Sequence, residues 1–207
     1  DLWIRSWSLL TGIRFRVEGK EHLQPEQAYV IVPNHSNLLD IPLTGSRIHH
    51  PWKCLVKQEI LNVPAVGWII HNIAIPVDRS SKRSRQRSLI AMVRELQKGI
   101  SILIFPEGTR NRTPQPLKSF YSGAFIIAIK AQKPILPVVI TGIRKLQPVD
   151  TLLLYPGKVT MTYLEPIPTE GLTDKDVKEL MTRVYALMEA HLVQHGPAFQ
   201  HLGTKAN

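Results

Sequence analysis

One cysteine, Cys54, is all the thiol available in this chain. A lone thiol excludes an intrachain disulfide framework and any zinc site built on several cysteines, and it suits a reducing compartment. Long apolar runs are missing too. No stretch of about 18 apolar residues occurs, so no segment reads as a transmembrane helix. Acidic residues are scarce: 16 Asp and Glu face 26 Lys and Arg, which leaves a formal net charge of +10. Such an excess implies an anionic partner, whether nucleic acid, an acidic membrane surface or a phosphorylated substrate. No recognition helix or aromatic-rich strand motif stands out, so a nucleic-acid partner is not expected. Apolar and charged contents of 43% and 20% are ordinary for a globular chain, and 207 residues suit one domain. The chain begins at Asp1 without a methionine, which leaves room for an upstream segment.

Residues 2–13 carry Trp3, Trp7, Leu9 and Leu10 with Arg5 at spacings near three and four. This pattern fits an amphipathic helix, either at a membrane interface or docked on the domain's own core. Strands are expected at 14–18, 28–33, 73–77, 100–105, 135–140 and 159–163. Helices are expected from Ile41, over 58–61, from the basic stretch 78–87 to about Lys98, over 123–131 and over 173–194. Gly99 is placed to stop the third of these, Thr173 or Asp174 to cap the last, and the chain is expected to turn at 64–67. Strands alternating with helices indicate a single α/β domain with a mostly parallel or mixed central sheet flanked by helices.

Asn34-His35-Ser36-Asn37-Leu38-Leu39-Asp40 lies between a buried strand and a helix. A neutral imidazole takes a proton from a hydroxyl, and a carboxylate on its other nitrogen fixes tautomer and orientation. Within one helix the two residues would be roughly 140° apart and could not meet. They meet only if His35 sits in the preceding turn and the chain folds back on Asp40. The alternative is that Asp40 caps a helix starting at Ile41 and His35 is an ordinary turn residue.

Phe105-Pro106-Glu107-Gly108-Thr109-Arg110 closes a later strand. Gly108 permits close approach or a positive φ, Glu107 can hold a cation or accept a hydrogen bond, and Arg110 offers a planar fork to phosphate. The alternative is a surface Glu–Arg pair at a strand end, which contributes little. His191 and His195 share a helix face but lack the Glu of His-Glu-x-x-His. His49 and His50 read as a solvated turn, so no metal site is expected. Arg79, Lys82, Arg83, Arg85 and Arg87 crowd a helix start, where positive charge opposes the helix dipole; anionic head groups or donor phosphates would account for them, as would a solvated helix end.

Taken together, the 34–40 and 105–110 strings resemble the glycerolipid acyltransferase family, in particular its 1-acyl-sn-glycerol-3-phosphate acyltransferase branch. Lys57 through Gly67-Trp68, Ile75-Pro76-Val77-Asp78-Arg79 and residues 134–140 agree in order and spacing, so the resemblance covers about residues 14–165. Two departures stand out: Asn72 where glycine is frequent, and Tyr121-Ser122 where basic residues usually precede Gly123. The resemblance implies direct acyl transfer from an acyl-CoA or acyl-ACP thioester to the sn-2 hydroxyl of 1-acyl-sn-glycerol-3-phosphate, giving phosphatidic acid, with no cofactor beyond the donor. By the same resemblance His35 is the general base and Asp40 its partner, while Arg79, Glu107, Gly108, Thr109 and Arg110 bind or orient the acceptor. Backbone N–H groups near Gly108 are candidate oxyanion donors, and Cys54 is a packed residue rather than a nucleophile. Other lysophospholipid or lyso-aminolipid acceptors, or a non-catalytic membrane-associated homologue, remain open. The expected location is a membrane surface on its cytoplasmic face, at a bacterial inner membrane or an organelle equivalent.

Overall fold

The computed structural model describes residues 11–37, 39–48, 50–64, 66–146 and 153–195. Residues 1–10, which hold most of the expected amphipathic segment, and His49 lie outside the described residues. In chain order the elements are β1 (Ile13–Glu18), β2 (Val30–Pro33), α1 (Asp40–Gly45), β3 (Trp52–Lys57) and a 3-10 turn (Gln58–Asn62). Then come α2 (Val66–Ile70), β4 (Ala74–Val77), α3 (Lys82–Gln97), β5 (Ser101–Leu103) and α4 (Gly123–Ala131). The remainder is β6 (Ile135–Thr141), α5 (Ile143–Leu146), β7 (Gly157–Tyr163) and α6 (Val177–His195).

The strands form one mixed seven-stranded sheet in the order β1-β7-β6-β2-β5-β3-β4. From β6 to β4 the strands are parallel; β7 runs antiparallel to β6, and β1 parallel to β7. The parallel part explains the apolar runs, because strands covered on both faces have no solvent side to reserve for polar residues. Side chains alternate across the sheet. Val30 and Val32 therefore join Met92, Leu96, Phe125, Ile127 and Val184 on one face. Tyr29 and Ile31 join Leu43, Leu136, Val138 and Ile143 on the other.

Local signals explain the longer helices. Ser81 Oγ accepts from Ser84 N at 3.2 Å to cap α3, and Gly99, at φ 84°, ends it. Ahead of α6, Thr173 and Asp176 form a reciprocal capping box, with Thr173 N donating to Asp176 Oδ2 at 2.7 Å. Several elements differ from expectation, the short helix α5 among them. β3 was not foreseen: Cys54, Leu55 and Val56 follow one another without alternation, and the strand exists because it sits between β4 and β5. The expected turn at 64–67 is the entry to helix α2. β5 is shorter than 100–105, although Ile104 N still donates to Ile31 O at 2.9 Å beyond its end.

Gly142 joins β6 to α5 with φ 86°, and a Cβ there would lie 2.2 Å from Lys158 O. Alanine at this position would carry both the left-handed penalty and a backbone collision. Gly142→Ala is expected to lower unfolding free energy by more than about 1–2 kcal/mol in urea denaturation.

Candidate active site

In a parallel sheet the chain leaves each strand at the same end, and groups able to bind or react collect there. The turn after β2 brings His35, that after β4 brings Arg79, and that after β5 brings Glu107 and Gly108.

The turn after β2 is held tightly. The Asn34 side chain imitates a strand residue: its Nδ2 donates to Ile140 O at 3.0 Å, and Ile140 N donates to its Oδ1 at 2.7 Å. His35 N donates to Glu107 Oε1 at 2.7 Å, and His35 O accepts from Asn111 N at 2.6 Å. With its backbone fixed on both sides, the His35 ring packs on Phe105, the ring centroids 4.1 Å apart.

The chain does fold back on Asp40. Asp40 is the first residue of α1, and its side chain reaches backward instead of capping that helix. Oδ2 accepts from Ser36 N and Asn37 N, each at 2.7 Å, and lies 3.0 Å from His35 Nδ1. The carboxylate is fully buried, whereas the His35 side chain is 12% exposed. An oxygen already accepting two N–H bonds can only accept from the ring as well, so Nδ1 carries the proton and Nε2 is left basic. Asp40 Oδ1 is buried without a hydrogen-bond partner.

Glu107 is the second buried carboxyl group. Its Oε2 accepts from Lys118 N at 2.9 Å, so each oxygen holds a different backbone segment. Burial pushes its pKa up, while the two N–H donors, His35 and Arg144 oppose that shift. Gly108 adopts φ 70° and is pressed by the Tyr121 ring, which a Cβ would approach to 2.8 Å. Its N–H closes the turn on Phe105 O at 3.0 Å, so this group, expected among the candidate oxyanion donors, is used inside the turn. Gly108 O accepts from the Arg79 guanidinium. Thr109 Oγ1 accepts from Lys118 Nζ at 2.8 Å, and Arg110 follows with its side chain half-buried.

Sequence reasoning did not single out Arg144. Its Nη1 and Nη2 donate to Thr113 O at 2.8 Å and Asn111 O at 2.9 Å, and it lies within the field of both Glu107 and Asp40. Burial lowers its pKa, and those carboxylates counter the shift. Its position 33 residues after Asn111 left no local signal. His50 corrects the expected solvated turn: its Nε2 lies 2.7 Å from Ser101 Oγ. Cys54 is buried, and burial pushes its thiol up to about 12, which suits a packed residue. His191 and His195 stack at 4.3 Å near the end of α6.

Beside the turn after β5 opens a cavity of about 630 Å³. Leu55, Leu89, Met92, Ile104 and Ile127 give it apolar walls, and Arg79, Gly108 and Thr109 line its polar part. Phe105 is shared, lining the cavity and packing on His35, so the apolar space comes within one ring of the imidazole. The volume falls in the range of small-molecule sites.

A family model described as Acyltransferase matches residues 14–141. An uncharacterized acyltransferase of Schizosaccharomyces pombe is 33% identical over 190 residues, covering 90% of this chain and 68% of its own. The 1-acyl-sn-glycerol-3-phosphate acyltransferase alpha of Homo sapiens is 36% identical over 180 residues, covering 84% of this chain and 62% of its own. The chain thus spans about two thirds of the length of these relatives. The crystal structure of PlsC, the 1-acyl-sn-glycerophosphate (LPA) acyltransferase of Thermotoga maritima, matches with a TM-score of 0.79 at 26% identity. That match covers 97% of this chain and 78% of PlsC.

Glutamine in place of Glu107 would set an amide NH2 against one of the two backbone N–H donors. Glu107→Gln is therefore expected to cost about 1–3 kcal/mol of stability, read from the urea midpoint, because a buried donor loses its partner.

Proposed function

The chain belongs to the acyltransferase family, and from that premise we propose that it moves a fatty acyl group from a thioester to the sn-2 hydroxyl of 1-acyl-sn-glycerol-3-phosphate. The observation that carries this reading is the 3.0 Å contact between His35 Nδ1 and Asp40 Oδ2 beside an apolar cavity. The human relative and the matched crystal structure carry names that point to the same acceptor.

In the proposed reaction His35 Nε2 takes the proton of the acceptor hydroxyl as its oxygen attacks the thioester carbonyl. Asp40 keeps the ring oriented and stabilises the imidazolium that forms. When the tetrahedral intermediate collapses, the C–S bond breaks and the imidazolium returns its proton to the departing thiolate. The hydroxyl attacks directly, so neither an acyl-enzyme nor a cofactor beyond the donor is required. The donor is acyl-CoA or acyl carrier protein, and the acyl chain lies in the cavity between β5, α3 and α4.

Arg79 and Arg110 take the acceptor phosphate. Arg79 is exposed and tethered to Gly108 O, which holds its remaining N–H groups at the mouth of the cavity. A phosphate monoester calls for several such charge-assisted donors. Glu107 acts through the backbone, holding His35 and the 118 segment rather than touching the acceptor. The acceptor is a lipid, so the protein works at a membrane surface; a coenzyme A or acyl carrier protein donor assigns it to the cytoplasmic face. No helix among the described residues is long and apolar enough to cross a bilayer.

His35→Ala and Asp40→Asn are each expected to lower kcat roughly a hundredfold to ten-thousandfold in an assay of thiol release from acyl thioester and lysophosphatidic acid. Full activity in His35→Ala would sink the mechanism. Leu89→Trp, which fills part of the cavity, is expected to shift the donor profile toward shorter acyl chains with His35 chemistry intact. A profile that does not change would remove the cavity from the acyl-binding role.

A further inference from the structure

Between Ile60 and Ile70 the chain carries no charged residue. Gly67 has no side chain to hold it off the preceding turn, and a Cβ there would lie 2.0 Å from Leu61 O. α2 thus packs on the 58–62 turn backbone to backbone, and its large side chains point away from the contact. Trp68 is 85% exposed and Ile69 67%, and Ile60, Val63 and Val66 are exposed beside them. One exposed apolar residue means nothing, but five within ten positions, an indole among them, form a patch.

β3 and β4 end in register, Lys57 opposite Val77, so the 58–62 turn and the basic segment 78–87 leave the sheet side by side. In that segment Arg79, Lys82, Arg83, Arg85 and Arg87 are all exposed, against a single carboxylate, Asp78. The same end of the sheet bears His35 and Glu107. An apolar patch with tryptophan, bordered by a basic cluster, matches the layering of an anionic bilayer, with hydrocarbon below and phosphate above. The exposed indole at the border between apolar and basic surface favours the lipid interface, where tryptophan concentrates.

We propose that Ile60, Val63, Val66, Trp68 and Ile69 enter the outer part of an anionic bilayer, with the 82–87 cations on its phosphates, so that the site opens toward the lipid. The proposal rests on the reading that the acceptor is a lipid, and it adds which surface meets the membrane.

The experiment is co-sedimentation with vesicles of equimolar phosphatidylcholine and phosphatidylglycerol, compared with phosphatidylcholine alone. Wild-type protein is expected to bind the anionic vesicles more tightly. Trp68→Ser/Ile69→Ser should weaken that binding about tenfold or more, while Val193→Ser, an exposed aliphatic on α6, leaves it unchanged. With a short-chain lysophosphatidic acid kept monomeric, the double variant should retain wild-type turnover, and with acceptor embedded in vesicles it should lose it. Brominated acyl chains should also quench tryptophan fluorescence, and the conservative Trp68→Phe should remove part of that quenching. Wild-type vesicle affinity in the double variant overturns the docking surface. So does undiminished quenching in Trp68→Phe, or a dimer in solution that the double variant abolishes. Vesicle binding and quenching are read without turnover, so they decide the surface even if the assay fails and the catalytic reading falls.

Discussion

The Glu107 carboxyl group is the contact on which the geometry of this site depends. One of its oxygens holds the backbone of His35 and the other that of Lys118, so a single buried side chain joins the turns after β2 and β5. Asn111 holds the other side of His35, and the Asn34 amide ties the preceding residue to β6. With its main chain so fixed, His35 has one direction in which to present its ring, against Phe105 and toward Asp40. Asp40 in turn needs the Ser36 and Asn37 N–H groups, which point at it only because the chain has doubled back.

Two carboxyl groups buried this close are costly unless donors and a cation surround them. Backbone N–H groups supply most of that compensation. Arg144 supplies the nearby positive charge, and its own burial is made tolerable by the same two acids. It also binds the carbonyls of Asn111 and Thr113, thereby holding the segment that holds His35. The proposed chemistry thus rests on groups that never need to meet a substrate.

The sheet separates the tasks. In the proposed reaction proton transfer belongs to the turn after β2 and anion contacts to the turns after β4 and β5, while the apolar cavity lies on the side covered by α3 and α4. The connection between β3 and the edge strand β4 carries the exposed apolar patch, beside the basic segment that follows β4. Because these strands are parallel, they all deliver their turns to one end of the sheet, so one surface can hold a phosphate, a hydrocarbon chain and the basic nitrogen together.

Much of this was legible in the order of residues. Buried strands such as β2 and β6 and the helix α4 announce themselves as apolar runs, and α3 and α6 by their caps. The motif strings named the residues at the site, and the five-residue spacing already required His35 to lie outside the helix. Other parts left no such trace. β3 is a strand only because β4 and β5 supply its hydrogen bonds. The N–H of Gly108 looked available until the turn used it. Arg144 reaches the site by folding alone. Sequence by itself determined which side chains could donate, accept or carry charge, since that chemistry travels with the residue. Only the tertiary structure decided which backbone N–H groups stay free, which carboxylates are buried and which distant cation faces them, because those depend on contacts between segments far apart in the chain.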